Sequence, residues 1–256
     1  MPSNKRRRNA GGSHLTAERG VAVVTGAAQG LGRAIVIALA EHGWNVAAMD
    51  VQPEGLHALR AEAGDRVTTW TVDLTDAGQT RSAIEEVQRT LGHVDYLVHN
   101  AAILIEEPFT DVGFERWQAT LNVGLQAAYL LTTSVWQGML ERKRGRVIYV
   151  SSRSGIEGFA NETAYCAAKH GLEGFMKSLA LECEGTGVAV STITPGMYMR
   201  TPMSERNYPP EAKAKWVEPA VLATAFVRLG ETLNEQYNGE RLNAWDLRQE
   251  TDASHD

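Results

Sequence analysis

Six short apolar runs recur along the chain: VAVVT (21–25), NVAAMD (45–50), VTTWTVD (67–73), DYLVHN (95–100), RVIYVSS (146–152) and VAVSTIT (188–194). They are rich in Val and nearly continuous in apolar character, as strands buried on both faces of a parallel sheet are. Parallel neighbours must be joined by right-handed crossovers, and the intervening segments 31–42, 78–91, 123–142 and 164–183 are long enough to supply them as helices. The pattern therefore predicts an α/β fold built on a doubly wound parallel sheet. With 256 residues, 43% of them hydrophobic, the chain can fill one good core. No internal repeat, linker or shift in composition marks a second domain.

The first eighteen residues, MPSNKRRRNAGGSHLTAE, hold almost nothing apolar to offset the entropy of ordering. They are expected to form a disordered basic tail (1–18), followed by one domain (19–248) and a flexible C-terminus (249–256). The KRRR run fits a nuclear signal or a nucleic-acid arm, but a solvated tail is the simpler reading. A formal net charge of -6 gives the body no attraction to nucleic acid or anionic lipid. Two cysteines, Cys166 and Cys183, cannot make a disulfide framework and suit a reducing compartment. No apolar run approaches the roughly 20 residues of a membrane span, and no signal-peptide core is present. A cytoplasmic location is expected, with neither membrane nor nucleic acid as partner and no metal.

Between the first strand and its helix lies TGAAQGLG (25–32). Three glycines at such a junction fit a turn that meets a dinucleotide. One permits the tight turn, another lets the backbone approach the pyrophosphate, and the third allows close helix packing. Backbone N–H groups at the helix start then bind phosphate oxygens. Gly26, Gly30 and Gly32 are the candidates. Asp50 closes the second strand twenty residues beyond Gly30. Its carboxylate is placed to accept from an adenosine ribose and to repel a 2′-phosphate, and no Arg or Lys occurs among Ala27, Ala28, Gln29 and Val51. NAD is expected over NADP. A tight loop without a ligand would show the same glycines.

A second group lies in RVIYVSSRSGIEGFANETAYCAAKHGLEGF. Ser152 ends a buried strand, and Tyr165 and Lys169 stand four apart on one face of the next helix. A phenol with an ordinary pKa of about 10 needs a fall of roughly two to three units to act as a base near neutrality. An ammonium about 4 Å away supplies roughly 4 kcal/mol at intermediate dielectric, so Lys169 is suited to the task. The same spacing also occurs on ordinary helix surfaces.

Taken together these stretches resemble the classical branch of the short-chain dehydrogenase/reductase family, over residues 20 to about 247. Its TGxxxGxG corresponds to TGAAQGLG, its YxxxK to Tyr165 and Lys169, and its serine thirteen residues before the tyrosine to Ser152. Its catalytic asparagine corresponds to Asn122 in LNVG, and its adenine-contacting acid to Asp73 in VDLTD. The resemblance implies a Rossmann fold and a homotetramer. It also implies NAD-dependent transfer of a hydride between a secondary alcohol and its ketone. Tyr165 would be the general acid/base, and Lys169 would lower its pKa and bind the nicotinamide ribose. Ser152 would bind the reacting oxygen, and Asn122 would hold a water that links Lys169 to solvent. Around the cofactor it implies Gln29 and Leu31 in the glycine turn, Leu74 beside Asp73, Asn100 and Ala101 after the fourth strand, and Pro195, Gly196 and Thr201 after the sixth.

The chain departs from the family in three places. The usual NNAG reads HNAA, putting His99 and Ala102 where the family has Asn and Gly; an added methyl there would crowd the cofactor, and His99 reads as structural. PGxxxT becomes PGMYMRT with one extra residue, which bears on Thr201. GERLNAWDL replaces the usual DGG ending. The family covers its substrate with the loops here written RSGIEGFANET and MYMRTPMSERNY. Arg153 and Arg200 in them suit a carboxylate, phosphate or sulfonate, whereas Met197, Tyr198, Met199 and Phe159 suit an apolar alcohol. A polar or anionic substrate such as a sugar or hydroxy acid is expected. Two other classes stay open: an epimerase or dehydratase of the extended branch, against which the glycine spacing and short C-terminal part count, and a catalytically silent nucleotide sensor, against which the intact Ser, Tyr and Lys count. Apolar residues beyond one stripe on the long helices, Trp136, Met139, Leu172 and Phe175, are expected to support the tetramer.

Overall fold

A computed structural model describes residues 19–208 and 210–249. The basic tail 1–18 and residues 250–256 lie outside them. Seven strands form one parallel sheet in the order β3-β2-β1-β4-β5-β6-β7. They are β1 (Val21–Thr25), β2 (Asn45–Asp50), β3 (Val67–Thr71), β4 (Val94–His99), β5 (Gly145–Val150), β6 (Val188–Thr194) and β7 (Arg241–Asn243). The order reverses between β1 and β4, so the crevice above their C-terminal ends is where a ligand of such a sheet binds.

Alternate residues of each strand feed two cores. Ala22, Val24 and Val46 meet α1 (Gly30–Glu41) and α8 (Pro219–Glu231), with Leu39 and Phe226 fully buried between. Val23, Ala47 and Leu97 meet α3 (Ala77–Leu91), α5 (Ala127–Arg142) and α6 (Thr163–Glu182) through Ile84, Leu131 and Met176. Such three-layer packing accounts for strands apolar on both faces.

The expected strands are all present, but two end two residues early. VTTWTVD ends at Thr71, where Val72 N–H still bonds Asp50 O at 2.9 Å and Asp73 turns back onto Thr75. RVIYVSS ends at Val150, so Ser152 lies two residues past the strand, although Ser151 N–H still bonds Ile193 O at 2.8 Å. The helix expected over 123–142 is two elements. A π-helical turn, Asn122–Gln126, joins α4 (Phe114–Leu121) to α5, widening the helix where Gly124 lies against Ala168. α2 (Pro53–Ala63), α4, α7 (Pro202–Asn207), α8, α9 (Ala244–Gln249) and the short edge strand β7 were not anticipated. The outward faces expected at Met139 and Leu172 are not there, because both side chains are fully buried in the monomer's own core. Trp136 and Phe175 pack against that core, with Phe175 stacked on Tyr149 at 5.6 Å. These helices expose Tyr129 and Leu181 instead. Among the described residues, no helix is long and apolar enough to cross a membrane.

Candidate active site

A cavity of about 410 Å³ opens above the C-terminal ends of β1, β2 and β4. One end is the turn after β1. Gly26 and Gly30 hold positive φ angles of 67° and 57°, which L side chains rarely adopt. At Gly32 the constraint is space: a Cβ would stand 2.1 Å from Gly26 O. The three roles expected of the glycines are thus separated in the way the turn requires, and Gln29, Gly30 and Leu31 line the cavity.

Neutral groups tie the turn to the end of β4. Thr25 Oγ1 accepts from Asn100 N–H at 3.0 Å and Ala101 N–H at 3.1 Å, and Asn100 Nδ2 donates to Thr25 O and Gly26 O. With its acceptor sites used, the Thr25 hydroxyl donates to His99 Nδ1 at 3.0 Å, which puts the imidazole proton on Nε2. Nε2 faces the backbone of Val123 and Gly124 outside good hydrogen-bond geometry. Burial pushes the His99 pKa down to about 3, with the Lys169 charge adding to the effect, so the ring is neutral. Its structural reading holds, and Ala102 lines the cavity.

Asp50, almost buried, accepts from Ala28 N–H and Gln52 N–H, both at 3.0 Å. It therefore braces the glycine turn as well as lining the cavity. Asp73 and Leu74 form the next wall, where Asp73 Oδ1 is held by Thr75 N–H and Oγ1. Thr201 caps α7 by accepting from Ser204 N–H at 3.1 Å. Despite the extra residue before it, Thr201 reaches Gly30, whose Cβ would lie 3.2 Å from Thr201 Cγ2. Pro195 lines the same wall, while Gly196 (φ 76°) lies outside it, packed on Asn243.

Tyr165 and Lys169 line the opposite end. Tyr165 sits in the first turn of α6, and Lys169 Nζ lies 5.4 Å from the centre of its ring while donating to Val150 O at 2.6 Å. The pKa directions correct the expectation from sequence. Burial pushes the Tyr165 phenol up, with Tyr208 adding and the Ser152 hydroxyl pulling down, and Lys169 is not among the causes. Burial pushes Lys169 itself down to about 8, against the pull of Glu173. Ser152 caps the short turn Arg153–Gly155, accepting from Ser154 N–H at 3.2 Å. Asn122 opens the π-helical turn and its Nδ2 donates to Thr75 O at 3.3 Å, while its neighbour Val123 reaches the cavity.

The candidate substrate residues do not line this cavity. Arg153 pairs with Glu157 at 2.7 Å and Arg200 with Glu218 at 2.8 Å, both exposed and outside this cavity. Tyr198 packs edge-on against Tyr208 at 5.5 Å. The residues that do line the cavity include Leu104, Ile105, Met203 and Arg206, which sequence reasoning passed over. Arg206 lay within the quoted loop, but only the fold puts it on α7 facing the cavity while Arg200, before the helix, pairs with Glu218. Glu162, buried, accepts from Ser154 Oγ at 2.7 Å, and burial raises its pKa. A carboxyl of this kind, three residues before Tyr165, carries no signal in a single sequence.

The model of the short chain dehydrogenase family matches residues 20–212. The chain is 36% identical over 178 residues to D-threitol dehydrogenase of Mycolicibacterium smegmatis, covering 68% of each chain. It is 34% identical over 189 residues to a 3-oxoacyl-[acyl-carrier-protein] reductase of Thermotoga maritima, covering 73% of this chain and 76% of that one. A crystal structure of a putative NAD(P) dependent gluconate 5-dehydrogenase from Beutenbergia cavernae, with NADP bound at low occupancy, superposes with a TM-score of 0.78. That match has 30% identity and covers 90% of this chain and 98% of the other. The chain belongs to the short-chain dehydrogenase/reductase family of oxidoreductases.

Proposed function

We propose that the chain is an NAD-dependent dehydrogenase that interconverts a secondary alcohol and its ketone. The observation that carries this reading is that Tyr165 and Lys169 line the same cavity as the glycine turn and Asp50. The residues fit a dinucleotide: Gly26 and Gly30 leave the turn bare of Cβ atoms, and Asp50 and Asp73 stand on the adjoining walls. Gln29, Leu31, Leu74, Asn100, Ala101, Pro195 and Thr201 would hold the nucleotide. When bound, it supplies the hydride acceptor.

Tyr165 then moves the proton of the reacting hydroxyl. Its phenol is raised by burial, so oxidation requires it to lose a proton through neighbours. Lys169, already lowered to about 8, is the group placed to pass that proton on, with Asn122 holding the exit and Ser152 holding the reacting oxygen. Asp50 favours NAD by accepting from a ribose hydroxyl and repelling a phosphate. Arg206, on the wall shared with Gln52, favours the second reading, in which NADP is accepted too.

For substrate, Ser154, Glu162 and Tyr208 near Tyr165 suit a small polyhydroxylated alcohol, whereas Arg153 and Arg200 are engaged elsewhere. The enzyme would act as a cytoplasmic homotetramer; exposed Tyr129, Leu181, Phe109 and Phe114 support self-association. Light scattering that gives a monomer at micromolar concentration overturns that part. Nicotinamide reduction is followed with NAD and NADP against threitol and other polyols, gluconate, cyclic alcohols and, in reverse, acetoacetyl-CoA. Turnover of a polyol with NAD favoured is expected. Turnover only of the thioester, or equal efficiency with NADP, overturns the substrate or cofactor assignment respectively.

A further inference from the structure

Where β5 leaves the sheet, three consecutive residues are each held by a different charged side chain. Lys169 Nζ donates to Val150 O at 2.6 Å, Ser151 Oγ donates to Glu173 Oε1 at 2.5 Å, and Arg241 Nη2 donates to Ser152 O at 2.9 Å. The three charges alternate in sign and form one row. Arg241 Nε donates to Glu173 Oε1 at 3.1 Å, and Glu173 lies one turn beyond Lys169 on α6. Thr192 Oγ1 of β6 donates to the other Glu173 oxygen at 2.9 Å. The turn that follows fits tightly against the row, since a Cβ at Gly155 would stand 2.7 Å from Ser151 Oγ and 3.2 Å from Glu173 Cγ.

Burial makes the row informative. Lys169 is 2% exposed and Glu173 4%. A buried ion pair stabilises little, and well-packed apolar residues in its place are often neutral or better. Packing alone gives no reason for a carboxylate here. What the row adds is register: α6, which carries Tyr165 and Lys169, and edge strand β7, which carries Arg241, are both tied to the backbone on either side of the Ser152 hydroxyl.

We propose that Glu173 and Arg241 are positioning residues, which with Lys169 fix Val150, Ser151 and Ser152 so that the serine hydroxyl and the lysine ammonium stay in register across the site. This rests on the reading of Ser152, Tyr165 and Lys169 as catalytic. Arg241 belongs to GERLNAWDL, the segment that departs from the family's usual ending, so this support comes from a part of the chain the motifs leave unassigned.

The charged and titratable groups around the row are His99 of β4 and Tyr165 of α6 facing Lys169, and Glu157 facing Arg241. Lysine-selective carbon-13 labelling of the full chain lets the Lys169 titration be read by NMR without any substrate, its resonance being assigned from Lys169→Met. Glu173→Gln removes a negative charge and should lower the midpoint. Arg241→Gln removes a positive one and should raise it, each by at least about half a pH unit. Arg241→Lys keeps the charge and should leave the midpoint in place. With the polyol turned over fastest, Arg241→Gln should also lower kcat roughly tenfold, because Ser152 loses its hold.

Midpoints that do not move, or that move the same way in the two glutamine variants, overturn the proposal. If Glu173→Gln fails to fold, the Arg241 pair decides: a rise with glutamine and none with lysine supports it, and no rise with glutamine overturns it. Full turnover by Tyr165→Phe would remove the catalytic reading without touching the lysine midpoints. Fixed midpoints beside an essential Tyr165 would remove the row alone.

Discussion

At one end of the cavity, Thr25, Asn100 and Asp50 hold the glycine turn through bonds to backbone amides and carbonyls. At the other, buried Lys169 and Glu173 and the half-buried Arg241 hold the exit of β5 through charged groups. The first set leaves a cradle held by short-range bonds to backbone, with Asp50 its one carboxylate and His99 the imidazole beside it. The second exposes the reacting end to every change of charge nearby, because few solvent dipoles stand between the groups to screen them. On the proposed roles, binding and proton transfer are separable, and substitutions at one end should leave the other largely intact.

Tyr165→Phe gives the largest break between the two. It should lower turnover by about a hundred- to ten-thousand-fold while nucleotide affinity, measured by calorimetry, changes little. A loss of less than roughly tenfold would mean another residue carries the proton.

Next is the acid side of stability. Burial holds the His99 pKa at about 3 against an ordinary 6.5, so below pH 6.5 the unfolded chain takes up a proton that the folded chain refuses. Stability thus falls as pH drops from 6.5 toward 3, by up to about 1.4 kcal/mol per pH unit from this group. His99→Asn, the residue the family commonly has there, should remove that slope from urea midpoints measured across the range.

Gly32→Ala tests the cradle. A Cβ 2.1 Å from Gly26 O must displace backbone, costing about 1–3 kcal/mol of stability and weakening nucleotide binding at least tenfold, with the Lys169 titration unmoved. Asp50→Ala should act more mildly, narrowing the preference for NAD and loosening the turn by about 1 kcal/mol through the two amides it no longer accepts from. Steady-state kinetics with both nucleotides checks it. Smallest of all is Arg153→Ala: its exposed pair with Glu157 is screened by solvent, so thermal stability should scarcely change and kcat/KM on any polyol should stay within about twofold.

Much of this was legible in the residues. Strands VAVVT, NVAAMD and VAVSTIT begin and end where the sequence places them: each is a buried run, the first between Gly20 and Gly26, the last between Gly187 and Pro195, and NVAAMD between its polar ends Asn45 and Asp50. The glycine spacing and the i, i+4 pair Tyr165 and Lys169 encode local geometry, and local geometry survives folding. β7 was not legible, because three residues with one buried side chain, Leu242, make no period. Nor was α2, whose core contribution is only Leu56 and Leu59.

The sequence by itself determined six of the seven strands, four of the crossover helices, the glycine turn and the Tyr165–Lys169 pair on one helix face, because each follows from spacings of a few residues along one element. Tertiary structure alone decided how charge is arranged around them. Arg241 meets Ser152 across 89 residues of chain and Glu173 across 68. Thr25 meets His99 across 74. The same packing buried Met139 and Leu172 within the monomer and pushed the Tyr165 phenol up where an isolated helix would have let Lys169 lower it. Desolvation and ion pairing depend on what the rest of the chain brings within a few ångströms, and no spacing along a single helix records that.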